Sequence, residues 1–155
     1  HRHAGEAMAI LAGDQLMLEA IDTLLDGRFD PMGTSSPDGE ISVVASVHPA
    51  VRLALVRELV QGTADMVSGQ VYDTLGGLPD AAPPEQRVRL VHRNKTGALI
   101  RASCRMGAIA GLAWRVVSTG AGTDGARSDD AAGVLSHPAL HAITAFGEAA
   151  GLMFQ

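Results

Sequence analysis

The sequence has few aromatic residues, a single cysteine and no long apolar run. Aromatic residues make up 3% of the 155 residues, and Cys104 is the one cysteine. One cysteine excludes an internal disulfide framework and is compatible with a reducing compartment. No apolar run is long enough to span a bilayer, and the opening "HRHAGEA" is not a signal peptide. We therefore expect a soluble, cytoplasmic protein.

Basic tracts are absent as well. Lys and Arg number 12 against 17 Asp and Glu, which gives a formal net charge of −5, and the two signs are interspersed. Without a basic stripe, nucleic acid is not expected as a partner. Hydrophobic residues still make up 46% of the chain, with Ala, Gly and Leu prominent. This composition favours closely packed helices over sheets and predicts a single all-α domain over residues 1–155.

Four segments have helical periodicity, and two of them start at a proline, which is favoured in the first turn of a helix. The helices are predicted over roughly residues 4–25, 49–74 and 85–117, and from 138 onward. The intervening segments are rich in Gly, Pro, Ser and Asp. Loops or linkers are predicted over 26–40, 75–84 and 118–133, and a loop or short helix over 41–47.

Both ends of the sequence lie inside helical patterns. The chain opens without an initiator Met and closes on "GLMFQ", in the middle of an apolar run. Natural domains usually end in polar, frayed segments. We expect a fragment, and therefore a bundle that is incomplete at both ends.

Polar side chains interrupt the predicted apolar faces. Asp14, Gln70, Asp73 and Lys95 occupy such positions, and Gln155 follows the apolar face of the fourth helix. Lys95 begins a stripe that continues through Leu99, Ala102, Met106, Ile109 and Ala113. Burying an unpaired cation is costly, so an anion or a wet cleft is expected beside it. One such residue is ordinarily a hydrogen-bonded core group, but several on separate helices indicate a polar cleft along the bundle axis.

Four motifs resemble one family of helical proteins. "AILAGDQLMLEA", "MVSGQVYDTL", "KTGALIRASCRMGAIAG" and "FGEAAGLMFQ" occur in the order and approximate spacing of the trans-isoprenyl diphosphate synthases, the polyprenyl synthetase family. The resemblance covers nearly the whole chain and is weakest over 26–48 and 118–137. Because the motifs occur together in their expected context, the combination is specific. It implies an antiparallel helical bundle of the isoprenoid synthase type.

The resemblance also implies an activity. Members of this family are prenyltransferases that condense isopentenyl diphosphate with an allylic diphosphate to make geranyl, farnesyl, geranylgeranyl or longer diphosphates. The reaction needs stabilisation of negative charge on the departing diphosphate, which Mg²⁺ and cationic side chains provide together. A homodimer is implied too. Two alternatives stay open: a non-catalytic regulatory subunit of a heteromeric synthase, and a plain structural module in which Lys95 extends to solvent.

Five residues of this sequence match the family's site. Lys95 resembles the lysine that contacts the diphosphate of the allylic substrate, and Thr96 accompanies it. Gln155 matches the glutamine immediately before the second aspartate-rich motif and is assigned to the same substrate site. Asp73 resembles the aspartate that supports Lys95 and the metal-bound waters. Gln70 lies one turn earlier on the same face and completes the supporting cleft.

The family's two DDxxD motifs are missing from this sequence. They would lie just before His1 and just after Gln155, so we expect no metal ligands in this chain and no activity from it alone. "SDDAAG", residues 128–133, lacks the third aspartate and is interpreted as solvated.

Other polar residues receive structural interpretations. His137 and His141 are spaced for zinc but lack partners, so we interpret them as surface or capping residues. Cys104 is assigned to packing, and Asp14 and Glu148 to structural roles.

Overall fold

The computed structural model describes residues 2–3, 5–26, 48–78, 83–118 and 128–154. Helix is the only regular structure in these ranges, which confirms the all-α prediction. The helices are α1 (Glu6–Asp26), α2 (Pro49–Leu75), α3 (Pro84–His92), α4 (Ala98–Ser118), α5 (Ser128–Leu135) and α6 (Ala139–Met153). A π-helical segment, Arg93–Gly97, joins α3 to α4 and is called the π turn below.

Two helices begin with the same histidine cap. The ring Nδ1 of His48 accepts a hydrogen bond from the backbone N–H of Ala50 at 3.1 Å, where α2 starts. Nδ1 of His137 accepts one from the N–H of Ala139 at 3.2 Å, where α6 starts. Each bond satisfies an N–H group that has no partner inside the helix. The predicted starts near residues 49 and 138 are therefore confirmed, with a capping role for His137.

Helix α4 is central, with α2 and α6 antiparallel to it on two sides. Both pairings are antiparallel because Arg105 contacts Glu58 and Thr144, whereas Arg101, four residues earlier, contacts the later residues Asp65 and Glu148. Helix α1 packs on α2, and α5 packs on α2 and α4. Buried apolar side chains gather at the end of the bundle away from the π turn. This core consists of Val51, Leu55, Ile109, Ala113, Ala131, Val134 and Leu140.

The end of the bundle near the π turn is packed through glycines instead. A Cβ placed on Gly62 of α2 would lie 2.6 Å from the Cβ of Ala102, and one on Gly147 of α6 would lie 2.9 Å from the Cα of Arg101. Real Cβ atoms essentially never approach that closely. The helices therefore lie nearer to one another here than any residue with a side chain would allow.

Two sequence-based predictions about the fold were wrong. Residues 128–133 were predicted as part of a flexible loop, yet they belong to α5, which buries Ala131 and Val134 in the core. Asp129 and Asp130 lie in its first turn, where negative charge favours a helix.

The second error concerns the predicted apolar faces. Ile10, Leu11 and Leu18 of α1 are about 60% exposed, at 59%, 60% and 62%. In α4 the buried face starts at Ala98 and continues through Ala102, Ile109 and Ala113, whereas Leu99 remains 37% exposed.

Several predictions fall outside the ranges that the structure describes. They concern the loop over 27–40, the segment 41–47, the linker over 79–82, residues 119–127 of the loop predicted over 118–133, and Gln155. Within the described ranges, helices long enough to cross a membrane are not sufficiently apolar to do so.

Candidate functional site

The π turn lies between α2 and α6, and glycines bring both helices against its backbone. A Cβ on Gly69 of α2 would overlap the backbone N of Lys95 and lie 2.7 Å from its Cα. On the other side, a Cβ on Gly151 of α6 would lie 2.5 Å from the Cα of Gly97. Mid-helix π turns are rare and frequently mark functional sites. This turn is therefore the candidate functional site.

The side chain of Lys95 extends from the π turn toward α2, where it contacts Asp73. Its Nζ donates a hydrogen bond to Oδ2 of Asp73 at 2.5 Å. The side chains are partly exposed, at 35% for Lys95 and 45% for Asp73, so the pair faces solvent at the end of α2. An ammonium has three donors, and this contact accounts for one of them. The remaining donors can meet an anion that approaches from the solvent side.

The other predicted site residues have different surroundings. Thr96 is half-buried within the π turn, next to Lys95. Gln70 is exposed, and its Nε2 donates to Thr74 Oγ1 at 3.1 Å along α2. Gln155 lies outside the described residues. The structure thus brings Lys95 and Asp73 together, with Thr96 next to Lys95 along the chain, while the roles assigned to all five residues stay predictions.

Three arginines of the same continuous helix form a row of polar contacts that sequence reasoning missed. Arg93, in the π turn, lies 3.4 Å from Glu148 of α6. Arg101 lies 2.8 Å from Asp65 of α2 and 4.0 Å from the same Glu148. Arg101 is therefore a bridge between the two flanking helices, and the structural role predicted for Glu148 agrees with its contacts.

Arg105 makes short contacts to both flanking helices and is 26% exposed, close to the 20% of Arg101. Its Nε donates to Glu58 Oε1 at 2.8 Å, and its Nη1 donates to Thr144 Oγ1 at 2.6 Å. The hydrogen bond to Glu58 raises the pKa of Arg105 above its ordinary value, and that effect outweighs the opposing cost of burial. The guanidinium is charged throughout the accessible pH range.

The spacing of these residues could have revealed the row. Glu58, Asp65 and Asp73 are seven and eight residues apart, which places them on one face of α2. Arg101 and Arg105 are four apart and share a face of α4 in the same way. Acids on one face of a helix and bases on one face of the next predict ion pairs between antiparallel neighbours. The π turn itself has no comparable signal in the sequence.

Metal binding has little support in the described residues. No group of three His, Cys, Asp or Glu side chains among them could hold a metal ion. Cys104 is half-buried, and its Cβ would lie 3.4 Å from a Cβ on Gly147, so it packs against α6. Gly107 and Gly111 of the same helix are exposed and take no part in that contact.

Comparison with known proteins shows the family. The Polyprenyl synthetase family model matches residues 1–119, and the chain belongs to that family. The farnesyl diphosphate synthase of Escherichia coli (strain K12) is 32% identical over 155 residues, which are 100% of this chain and 40% of that protein.

Two further relatives have similar identities. Geranylgeranyl pyrophosphate synthase 11, chloroplastic, of Arabidopsis thaliana is 34% identical over 113 residues, 72% of this chain and 28% of the relative. The farnesyl diphosphate synthase of Geobacillus stearothermophilus is 34% identical over 113 residues, 72% of this chain and 32% of the relative. The chain thus spans 28% to 40% of the length of these relatives. No solved structure matches it significantly.

Proposed function

We propose that this chain supplies the allylic diphosphate-binding wall of a prenyltransferase that condenses isopentenyl diphosphate with an allylic diphosphate. The observation that carries the proposal is the contact between Lys95, in a π turn held between two helices, and Asp73 of α2. The named activities of the relatives, farnesyl and geranylgeranyl diphosphate synthases, support the same reaction class.

Lys95 acts on the leaving group. The C–O bond of the allylic diphosphate breaks, the electron pair leaves with the diphosphate, and an allylic carbocation remains. The ammonium of Lys95 stabilises the negative charge that develops on the diphosphate oxygens, which is a large term in reactions of this kind. Isopentenyl diphosphate then attacks the carbocation through its double bond, and loss of a proton restores a neutral alkene.

Asp73 holds Lys95 in place before the substrate arrives. A lysine side chain has four rotatable bonds, and fixing it in advance avoids an entropic cost when the anion binds. Thr96 and Gln155 are proposed as further contacts of the substrate diphosphate, and Gln70 as a supporting residue. These assignments follow the family resemblance, and a mutation at each position tests them separately.

Magnesium does not fit the described residues alone. Asp73, the carboxylate in contact with Lys95, is engaged by an ammonium, and the described residues offer no group of three ligands. Mg²⁺ would neutralise diphosphate oxygens when bound. We propose that the aspartate-rich motifs of a longer protein bind it, and that the 155 residues alone do not catalyse prenyl transfer. A homodimer is proposed on the same resemblance.

The test is a prenyl-transfer assay with isopentenyl and geranyl diphosphates and Mg²⁺. The 155-residue chain should give no product, and a longer protein that contains these residues should give farnesyl or longer diphosphates. In that longer protein, Lys95→Ala should mainly weaken binding of the allylic substrate. Turnover by the 155 residues alone, or unchanged kinetics for Lys95→Ala, would contradict the assignment. An inactive longer protein that alters the product of an added synthase would favour the regulatory subunit instead.

A further inference from the structure

We propose that Gly69 and Gly151 are positioning residues for Lys95: they hold the π turn between α2 and α6, and the π turn directs the ammonium onto Asp73. No residue with a side chain could take either position without moving the π turn. The positioning of the Lys95 ammonium is independent of the proposed function. The effect on anion binding rests on the proposed function.

The contacts of Gly69 carry the first step. A Cβ at this position would lie 2.7 Å from the carbonyl carbon of Asn94 and 2.7 Å from the Cα of Lys95. These are backbone atoms, so no rotamer change can relieve the clash, and the segment itself would have to move. Gly69 is also buried, which leaves a new methyl group no route toward solvent. An alanine there displaces the residue whose ammonium reaches Asp73.

Gly151 closes the turn from the opposite side. A Cβ there would lie 2.5 Å from the Cα of Gly97 and 3.4 Å from its carbonyl oxygen. The π turn therefore cannot retreat from α2 without moving into α6. Both flanking helices restrict the same five residues, and such restriction is what allows a rarely populated backbone conformation to persist.

The geometry of a π turn explains why this matters for Lys95. A π turn has i to i+5 hydrogen bonds and so contains one residue more than an α-helical turn. Each residue of an α-helix advances about 100° around the axis. If the π turn closed into regular α-helix, residues before it would rotate by about that angle relative to α4. Lys95, at the centre of the turn, would rotate by part of that angle, which moves its ammonium off Asp73.

Lys95 is the single lysine of the chain, which makes it simple to observe. Acetic anhydride acylates free amines, so peptide mapping of a partly acetylated sample reports the reaction rate at Lys95 apart from the N-terminus. An amine engaged by a carboxylate reacts more slowly than a free one, and a partly exposed pair implies a difference in rate of up to about fivefold. Asp73→Asn removes the carboxylate, so the acetylation rate of Lys95 in this variant is the reference for a lysine without its ion pair.

The variants separate positioning from general packing. Gly69→Ala should raise the acetylation rate to that of Asp73→Asn. Gly62→Ala is the matched control, since Gly62 is buried on the same helix but faces the side chain of Ala102, and it should leave the rate at the wild-type value. Circular dichroism checks that each variant is folded. If Gly69→Ala does not fold, Gly151→Ala, which enters the same turn from α6, replaces it.

A second measurement connects the positioning to the anion. Calorimetric titration with inorganic pyrophosphate should give about tenfold weaker binding for both Gly69→Ala and Lys95→Ala, and unchanged binding for Gly62→Ala. A folded Gly69→Ala with wild-type acetylation rate and wild-type binding would overturn the positioning role. Equal binding by wild type and Lys95→Ala would overturn the proposed function alone, because the acetylation result does not depend on it.

Discussion

Arg105 on α4 holds one carboxylate oxygen of Glu58 on α2 from two nitrogens, Nε at 2.8 Å and Nη2 at 2.7 Å. The two side chains are 26% and 22% exposed, which makes this, with Arg101 and Asp65, one of the two most enclosed ion pairs that the described residues form. The third nitrogen of the guanidinium, Nη1, donates to Thr144 on α6. One side chain therefore ties both flanking helices to the central one.

Arg105→Met should destabilise the protein by about 1.5–3 kcal/mol, because it leaves Glu58 half-buried without its charged partner. Arg105→Lys should recover part of the loss, since an ammonium cannot reproduce the planar fork. Urea unfolding followed by circular dichroism measures both. Arg89→Met, which removes an exposed pair with Glu85, is the control and should cost about 0.5 kcal/mol or less.

The pH dependence of this contribution follows from the direction of the pKa. The pKa of Arg105 is raised in the folded protein, so its stabilising effect is complete below the ordinary arginine value and is lost only above the raised one. The stability difference between wild type and Arg105→Met should therefore stay constant from neutral pH to about pH 10. A difference that shrinks over that range would contradict the charged contact.

The histidine caps should contribute to stability independently of each other. His48→Ala and His137→Ala each remove the acceptor of a backbone N–H at a helix start, and each should cost about 0.5–2 kcal/mol. His48→Asn should restore most of the loss because asparagine is a good capping residue. His141→Ala, an exposed position inside α6, should have little effect in the same urea unfolding series.

The effect of a glycine-to-alanine substitution on stability should depend on whether another helix lies beside the glycine. Gly62→Ala places a Cβ 2.6 Å from that of Ala102 and should destabilise by about 1–3 kcal/mol. Gly111→Ala, with no atom of another element within 4 Å, should instead stabilise by about 0.5–1 kcal/mol because alanine favours the helix. Thermal unfolding should place the two variants on opposite sides of wild type. A shift of both in one direction would contradict the packing described for α2 and α4.

Two leucines test where the core lies. Leu55 of α2 is 8% exposed and belongs to the buried cluster, so Leu55→Ala should cost about 2–5 kcal/mol. Leu18 of α1 is 62% exposed although its sequence periodicity predicts a buried face, and Leu18→Ala should change stability by about 0.5 kcal/mol or less. Equal losses measured by urea unfolding would show that the face of α1 is covered in solution.

Helix positions were predictable because their signals are local. Pro49 and Pro138, each preceded by a histidine, mark helix starts that depend on neighbouring residues alone. Helix α5 was missed since its short sequence follows a glycine-rich stretch, and its stability comes from burying Ala131 and Val134 against α2 and α4. Tertiary contacts of this kind override local propensity, and a single sequence does not contain them.

The site was predictable in its residue types more than in its geometry. Lys95 and Asp73 stand out because each interrupts an apolar pattern, and the family resemblance pairs them. The π turn was not foreseen, since hydrogen bonding to i+5 instead of i+4 has no residue signature here. Gly69 is one residue of the "MVSGQVYDTL" motif, and only its distance from the backbone of Lys95 indicates a role for it.

The central claim is that Lys95 binds the diphosphate of an allylic substrate, and the dissociation constant for geranyl diphosphate tests it most directly. Calorimetric titration of the 155-residue chain should show about tenfold weaker binding for Lys95→Ala than for wild type. Arg89→Ala removes an exposed positive charge from α3 and should bind like wild type. The same dissociation constant for wild type and a folded Lys95→Ala would contradict the claim.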